Sequence, residues 1–338
     1  MRDLNSLGLK TEDGRLLVLD QTRLPDVEEW LDGTSPSAMA EYIRRLTVRG
    51  APLIGVSAAL SLAAHAEHGA SSSELERAEC VLRATRPTAV NLRWAMDQME
   101  GVLAAGGGVT DLVKQAEAIF DQDVQFCERM ANQGATLIAH GEGILTHCNT
   151  GGLASAGIGT ALGVIRRAHE KGKQPQVWVD ETRPLLQGAR LTTWELGRLG
   201  IPHTLITDSM AATVLAQGKV QRVLVGADRI AANGDFANKV GTYALAIVAR
   251  HHGVPFHPVA PWSTVDLACA SGRDIPIEER AAPEVRGYGA LRWAPSNVKV
   301  FNPAFDVTPV SLLESLVLDR GVFSRAALAH GLAATELG

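Results

Sequence analysis

Two short segments carry residue types able to do acid-base or nucleophilic work, and each follows a run of apolar residues. His147-Cys148-Asn149-Thr150-Gly151-Gly152 comes directly after Ile144-Leu145-Thr146. Gly226-Ala227-Asp228-Arg229 comes directly after Val223-Leu224-Val225, with Asn233-Gly234-Asp235 and Asn238-Lys239 close behind. A thiol serves as acid, base or nucleophile according to how its surroundings tune its pKa. A carboxyl in an apolar pocket has its charged form disfavoured, so it can hold a proton for delivery as a general acid. The residues alone leave a plainer alternative open, in which Cys148 is a small buried side chain and Asp228 a helix cap.

Anion binding has its own candidates. Arg49 stands just before a helix opening at Pro52, and Arg86-Pro87 just before another opening near Thr88-Ala89-Val90-Asn91. A cation beside the free N–H groups of a helix start suits a phosphate, although either arginine can equally be a solvated surface charge. Gln187 and Asn238-Lys239 offer further donors. No GxxxxGK[ST] occurs: Gly172-Lys173 is followed by Gln174 and Gly218-Lys219 by Val220, which argues against a nucleotide P-loop. The run Gly157-Ile158-Gly159-Thr160-Ala161-Leu162-Gly163 invites a dinucleotide reading, but its spacing is GxGxxxG, and close packing of a helix on a sheet explains it equally well. His147 and Cys148, as neighbours at a strand end, point to opposite faces and do not readily share a metal; His147 reads as a hydrogen-bonded structural residue.

The elements that must position these residues follow from periodicity. Leu16-Leu17-Val18-Leu19 reads as a short strand. Ser35-Pro36 starts a helix whose apolar residues Met39, Tyr42, Ile43 and Leu46 recur at helical spacing, ending near Thr47. From Pro52 a second helix is apolar nearly all round, which predicts burial on several sides. A long helical pattern runs from about Asp111 to His140. From Ile144 on, short apolar runs alternate with helix-length segments: 144–146, 177–179, 204–206, 223–225, 256–259 and 298–300. That alternation predicts a parallel sheet covered by helices, with ligands beyond the carboxyl ends of its strands. The fold expected is α/β: a mainly helical N-terminal domain with a short β element over 1–125, then a Rossmann-like parallel-sheet domain over 126–338.

Bulk composition narrows the partners. The chain of 338 residues carries 32 Lys plus Arg against 37 Asp plus Glu, a formal net charge of −5, with no basic block, so nucleic acid is not expected. No basic start leads into an apolar run, and no stretch of about 18 apolar residues occurs, so neither secretion nor membrane insertion is expected. Four cysteines, Cys80, Cys127, Cys148 and Cys269, lie far apart without a CxxC pair, which fits reduced thiols in a cytoplasm. No repeat of solenoid period is present.

Taken in order along the chain, these segments resemble the methylthioribose-1-phosphate isomerase family, related to the regulatory subunits of the exchange factor for translation initiation factor two. The matching blocks are Leu19-Asp20-Gln21-Thr22, Arg49-Gly50-Ala51-Pro52, Arg86-Pro87-Thr88-Ala89-Val90-Asn91-Leu92, the stretch from Ile144 to Glu195, Gly226-Ala227-Asp228-Arg229-Ile230 with Asn238-Lys239, Ile275-Pro276-Ile277-Glu278-Glu279-Arg280 and Asn302-Pro303-Ala304-Phe305-Asp306. Leu53, Thr150 and Gly152 depart from the family's usual small residues. The resemblance implies Cys148 and Asp228 as catalytic pair, and Arg49, Gly50, Ala51, Arg86, Gln187, Asn238 and Lys239 as contacts to a sugar-phosphate substrate. It also implies a homodimer with no metal or other cofactor, and aldose-to-ketose isomerisation in methionine salvage. The same grip would serve 5-deoxyribose 1-phosphate or ribose 1,5-bisphosphate. A non-catalytic sugar-phosphate sensor and a nicotinamide-dependent dehydrogenase are the rival classes.

Overall fold

The computed structural model describes residues 1–328, 331 and 332. The chain forms two compact units, one of Met1–Arg129 with Thr150–Gly163, the other of Met130–Asn149 with the described residues from Val164 on.

The first unit is the helical one. Strands β1 (Leu9–Glu12), β2 (Arg15–Leu19) and β3 (Trp30–Asp32) make a small antiparallel sheet, followed by helices α1 (Pro36–Arg44), α2 (Ala51–Glu67), α3 (Ser72–Arg83), α4 (Val90–Ala104) and α5 (Val109–Gly134). Helix α2 is buried from Leu53 through Ala64, as its apolar circumference predicts. Its leucines join Met39, Ile43, Leu92, Met96 and Met99 in one core. Trimming Leu60, fully buried there, to alanine costs about 2–5 kcal/mol through lost transfer energy and a residual cavity. Helix α1 stops at Arg44 and α5 at Gly134, each short of its periodic pattern. At Gly134 the pattern passes into a 3-10 turn over Ala135–Leu137 and then extended backbone at Ile138. Glycine lowers helix propensity at that point.

The second unit holds a five-stranded parallel sheet. Its strands are β4 (Gly143–Thr146), β5 (Gln176–Asp180), β6 (His203–Ile206), β7 (Arg222–Val225) and β10 (Phe256–Pro258), in the spatial order β10-β7-β4-β5-β6. Helices α6 (Ala161–Glu170), α7 (Thr193–Arg198), α8 (Ala211–Ala216) and α9 (Thr242–His251) alternate with them. Strand order reverses between β4 and β7, which pair in parallel with Ile144 opposite Arg222 and Thr146 opposite Leu224. This is the doubly wound, Rossmann-like arrangement, and the reversal is where such sheets open a crevice for ligands.

A second sheet was not foreseen from periodicity. Strands β8 (Arg229–Ala231) and β9 (Phe236–Lys239) form an antiparallel hairpin, flanked by β11 (Val265–Asp266) and β14 (Phe305–Thr308). The Asn233-Gly234 pair in its turn is the sequence signal that marks such a hairpin. Two further hairpins are β12 (Gly287–Tyr288) with β13 (Leu291–Arg292), and β15 (Ser315–Leu318) with β16 (Gly321–Ser324).

One expected strand is absent. Val298-Lys299-Val300 has no strand pairing; Val298 is exposed, its N–H donates to the Pro295 carbonyl in a turn, and its own carbonyl accepts from the Arg286 guanidinium. Prolines at 295 and 303 bracket the run, and three alternating residues bury too little to hold a strand against them. The glycine run is also packed differently from the helix-on-sheet contact expected. A Cβ on Gly159, at φ +96°, would lie 2.4 Å from the Gly151 Cα and the Thr150 oxygen, and one on Gly157 would lie 2.7 Å from the Cys127 Cβ. The glycines let a loop fold onto itself and onto α5.

Candidate active site

Cys148 is the second residue beyond β4. It adopts φ +65°, the left-handed region, which costs a non-glycine residue about 1–3 kcal/mol and persists only where its surroundings enforce it. Hydrogen bonds do so on both sides of the residue. The Cys148 N–H donates to Thr182 Oγ1 at 2.8 Å, and its carbonyl accepts from Thr192 Oγ1 at 2.6 Å. The next side chain is tied down too: Asn149 Nδ2 donates to Glu195 Oε1 at 2.7 Å. Cys148 itself is 8 % exposed, so the thiol is sheltered but not sealed.

The loop beyond β5 is the enforcing element. Thr182 and Leu186 also sit at positive φ, and Gly188–Thr192 forms a turn of π-helix before α7. Wide helical turns of this kind concentrate at functional sites. Asp208, just beyond β6, accepts from the Thr182 and Arg183 N–H groups at 2.8 and 2.7 Å. Gln187, carried on this loop, is 4 % exposed, and its side-chain oxygen has no hydrogen-bond partner among the described residues. A buried acceptor left so costs about 1–3 kcal/mol, a deficit that a ligand's donor would remove.

Asp228 is the third residue beyond β7 and is half-buried. Its N–H donates to the Ala237 carbonyl at 2.8 Å, just ahead of the β8–β9 pairing of Arg229 with Ala237. Asn238 Nδ2 donates to Thr242 Oγ1, and the Lys239 ammonium, over the Phe305 ring, donates to the Ala304 carbonyl at 2.8 Å. The second unit thus brings Cys148 and Asp228 to the carboxyl ends of neighbouring parallel strands, at the reversal of strand order, with Gln187 on the loop beyond β5 and Asn238 and Lys239 at the end of β9.

Arg49, Gly50, Ala51 and Arg86 belong to the first unit. Gly50 caps α2 at φ +97°, and a Cβ there would lie 2.5 Å from the Ala154 Cα, so both conformation and space demand glycine. The Leu53 N–H of the first helical turn donates to the Ala154 carbonyl, and Pro52 has none to offer, so this helix start presents fewer donors to an anion than its sequence suggests. The segment meeting Gly50 begins only two residues after Cys148. Half-buried Arg86 closes a turn with the Ala89 N–H ahead of α4.

His147 is a structural residue, as the strand alternation predicts. Its Nδ1 lies 3.0 Å from Asp180 Oδ2 and its Nε2 3.0 Å from the Val240 carbonyl oxygen. Burial pushes the imidazole toward the neutral form, but Asp180, the charge of Asp208 and the Val240 carbonyl together raise its pKa above the ordinary range. Burial likewise raises Asp180, against the pull of His147. His147, Asp180 and Asp208 bring their ligand atoms within 4.8 Å of one another, a spacing open to a metal; both ring nitrogens of His147 and both oxygens of Asp208 are engaged in the hydrogen bonds just described, while Asp180 Oδ1 has no partner among the described residues. Thr182, Thr192 and Asp208 carry much of this geometry and were not singled out from sequence. Asp208 was within reach, since it is a polar residue two positions after the 204–206 apolar run.

The initiation factor 2 subunit family model matches residues 47–325. A methylthioribose-1-phosphate isomerase of Cronobacter sakazakii is 54% identical over 335 residues, covering 98% of this chain and 99% of its own. Among solved structures, a 5-methylthioribose 1-phosphate isomerase from Pyrococcus horikoshii OT3 superposes with a TM-score of 0.90 at 42% identity, covering 98% of this chain and 96% of the other. The translation initiation factor eIF-2B subunit delta from A. fulgidus does so with a TM-score of 0.84 at 40% identity, covering 95% and 96%.

Proposed function

The chain belongs to the initiation factor 2 subunit family and, within it, to the methylthioribose-1-phosphate isomerases; we propose that it converts 5-methylthioribose 1-phosphate, an aldose phosphate, to 5-methylthioribulose 1-phosphate in methionine salvage. The observation that carries this reading is likeness to these isomerases from one end of the chain to the other. The placement of a thiol and a carboxyl at the strand-order reversal supports it.

The substrate's chemistry explains the need for such a pair. With the anomeric oxygen esterified, the sugar ring cannot open spontaneously to the aldehyde that ordinary aldose isomerases use. In our reading Asp228 delivers a proton to the ring oxygen, and Cys148 assists transfer of hydrogen from C2 to C1 or stabilises the charge formed there. Substrate and product are isomers, so the reaction has no net oxidation and calls for no redox cofactor. Arg49, Gly50, Ala51, Arg86, Asn238 and Lys239 are read as contacts to the substrate and its phosphate. Gln187, with an unpartnered buried oxygen, is read as accepting from the substrate.

The protein is read as a cytoplasmic homodimer. Free Cys80, Cys127, Cys148 and Cys269 fit a reducing compartment, and among the described residues no helix is long and apolar enough to cross a membrane. Turnover of 5-methylthioribose 1-phosphate, measured beside 5-deoxyribose 1-phosphate and ribose 1,5-bisphosphate, tests the assignment. Preference for the first is expected; no ketose product from it would reject the reading. Running the reaction in deuterated water bears on the hydrogen transfer, since solvent deuterium at C1 marks a proton route and full retention of the substrate hydrogen leaves that route unsupported.

A further inference from the structure

The left-handed backbone of Cys148 sets the direction of its Cα–Cβ bond, and Thr182 is the residue that meets its N–H. Thr182 is fully buried and engaged through every polar atom it has. Its Oγ1 accepts from the Cys148 N–H at 2.8 Å and donates to the Asp180 carbonyl at 3.0 Å. Its own N–H donates to Asp208 Oδ1 at 2.8 Å, and its carbonyl accepts from the Leu186 N–H at 2.8 Å. The ends of three adjacent parallel strands, β4, β5 and β6, are thereby linked through one residue, its hydroxyl joining the first two and its N–H the third.

We infer that Thr182, anchored by Asp208, is the positioning residue for Cys148: it holds the turn after β4 in its left-handed form and so aims the thiol. The inference rests on the reading of Cys148 as a reacting group. A hydroxyl is required because only an atom that accepts and donates at once can satisfy both the Cys148 N–H and the Asp180 carbonyl. Valine matches threonine in shape and does neither. Serine does both. Because Thr182 acts through the backbone of another residue, its loss should disturb the geometry of the chemical step more than the binding of substrate.

The test compares Thr182→Val and Thr182→Ser in the full-length protein, with two readouts. The first is turnover of 5-methylthioribose 1-phosphate; the second is the rate at which iodoacetamide alkylates Cys148, followed by peptide mass spectrometry with exposed Cys80 as internal reference. For Thr182→Val, kcat should fall on the order of 10²-fold with KM within about 3-fold of wild type, and Cys148 should alkylate faster as the turn loosens. Thr182→Ser should restore both. Wild-type kcat and alkylation rate in Thr182→Val would overturn the inference, as would a Thr182→Ser variant impaired equally. Should Thr182→Val not fold, Asp208→Asn loosens the same anchor and is expected to give the same kcat-selective loss and faster alkylation; wild-type behaviour there rejects the anchored arrangement. A wild-type protein inactive on the substrate would remove the functional reading instead, and the alkylation rates would then decide Thr182 on their own.

Discussion

His147 and Asp180, at the ends of neighbouring strands and both nearly sealed from solvent, share a proton across 3.0 Å. The other ring nitrogen faces a carbonyl oxygen, which can only accept, so it must carry hydrogen. A second proton therefore sits between Nδ1 and the carboxylate, and the folded pKa of His147 stands above its ordinary value of 6.5.

The sign of the pH effect follows. A raised folded pKa contributes stability that is complete below pH 6.5 and is lost as pH rises through the folded value. Asp180→Asn should cost about 3–5 kcal/mol near pH 6, the loss typical of a buried pair deprived of one partner, and less toward pH 9. Urea melts of wild type and variant across that range measure it; a difference that grows with pH would contradict the shared proton.

Loss of either reacting group should abolish most turnover while substrate still binds. Cys148→Ser and Asp228→Asn are each expected to lower kcat by about 10²–10⁴-fold, the usual contribution of positioned acid-base groups. Steady-state kinetics with substrate binding followed by calorimetry provide the check, and near-normal kcat in both would dismiss the pair.

Gly50→Ala should be destabilised by at least about 1–2 kcal/mol from the left-handed backbone alone. More should come from the 2.5 Å approach of the new Cβ to Ala154. Because Ala154 lies in the segment that follows Cys148, activity should fall together with melting temperature. A variant as stable as wild type would show that this helix start relaxes freely.

Asp123, on α5, accepts from the Ala156 N–H at 2.6 Å within the first unit. Burial pushes its carboxyl up to about 6 from 3.8, against the backbone donors of Ala156 and Gly157. Since the folded value is the higher one, its contribution is full below pH 3.8 and declines as pH rises through about 6. Between pH 4 and 7, wild type should therefore lose roughly 3 kcal/mol relative to Asp123→Asn, a two-unit shift in stability terms. Parallel denaturation curves of the two proteins at those pH values would refute this.

Much of this was legible in the residues. Short apolar runs spaced by helix-length segments mark parallel strands, so five strands of the main sheet, and the polar residues just beyond them, follow from local pattern, while the run at 298–300 lacks the burial to pair. Helix α2 announces its burial by being apolar all round. Local pattern does not set strand order. Only tertiary structure placed β7 beside β4, across 75 residues of intervening chain between Thr146 and Arg222, and so put Asp228 and Cys148 beyond the ends of adjacent strands. The hairpin that ties the Asp228 N–H to the Ala237 carbonyl depends on pairing between strands of three and four residues, too short for a periodicity to show. The left-handed turn at Cys148 is a non-glycine residue in a conformation its own chemistry disfavours, imposed by Thr182, Thr192 and Asp208 from the loops beyond two other strands. Sequence determined which groups stand after the strands; long-range hydrogen bonds, whose partners lie tens of residues away, decided which of them meet and in what conformation.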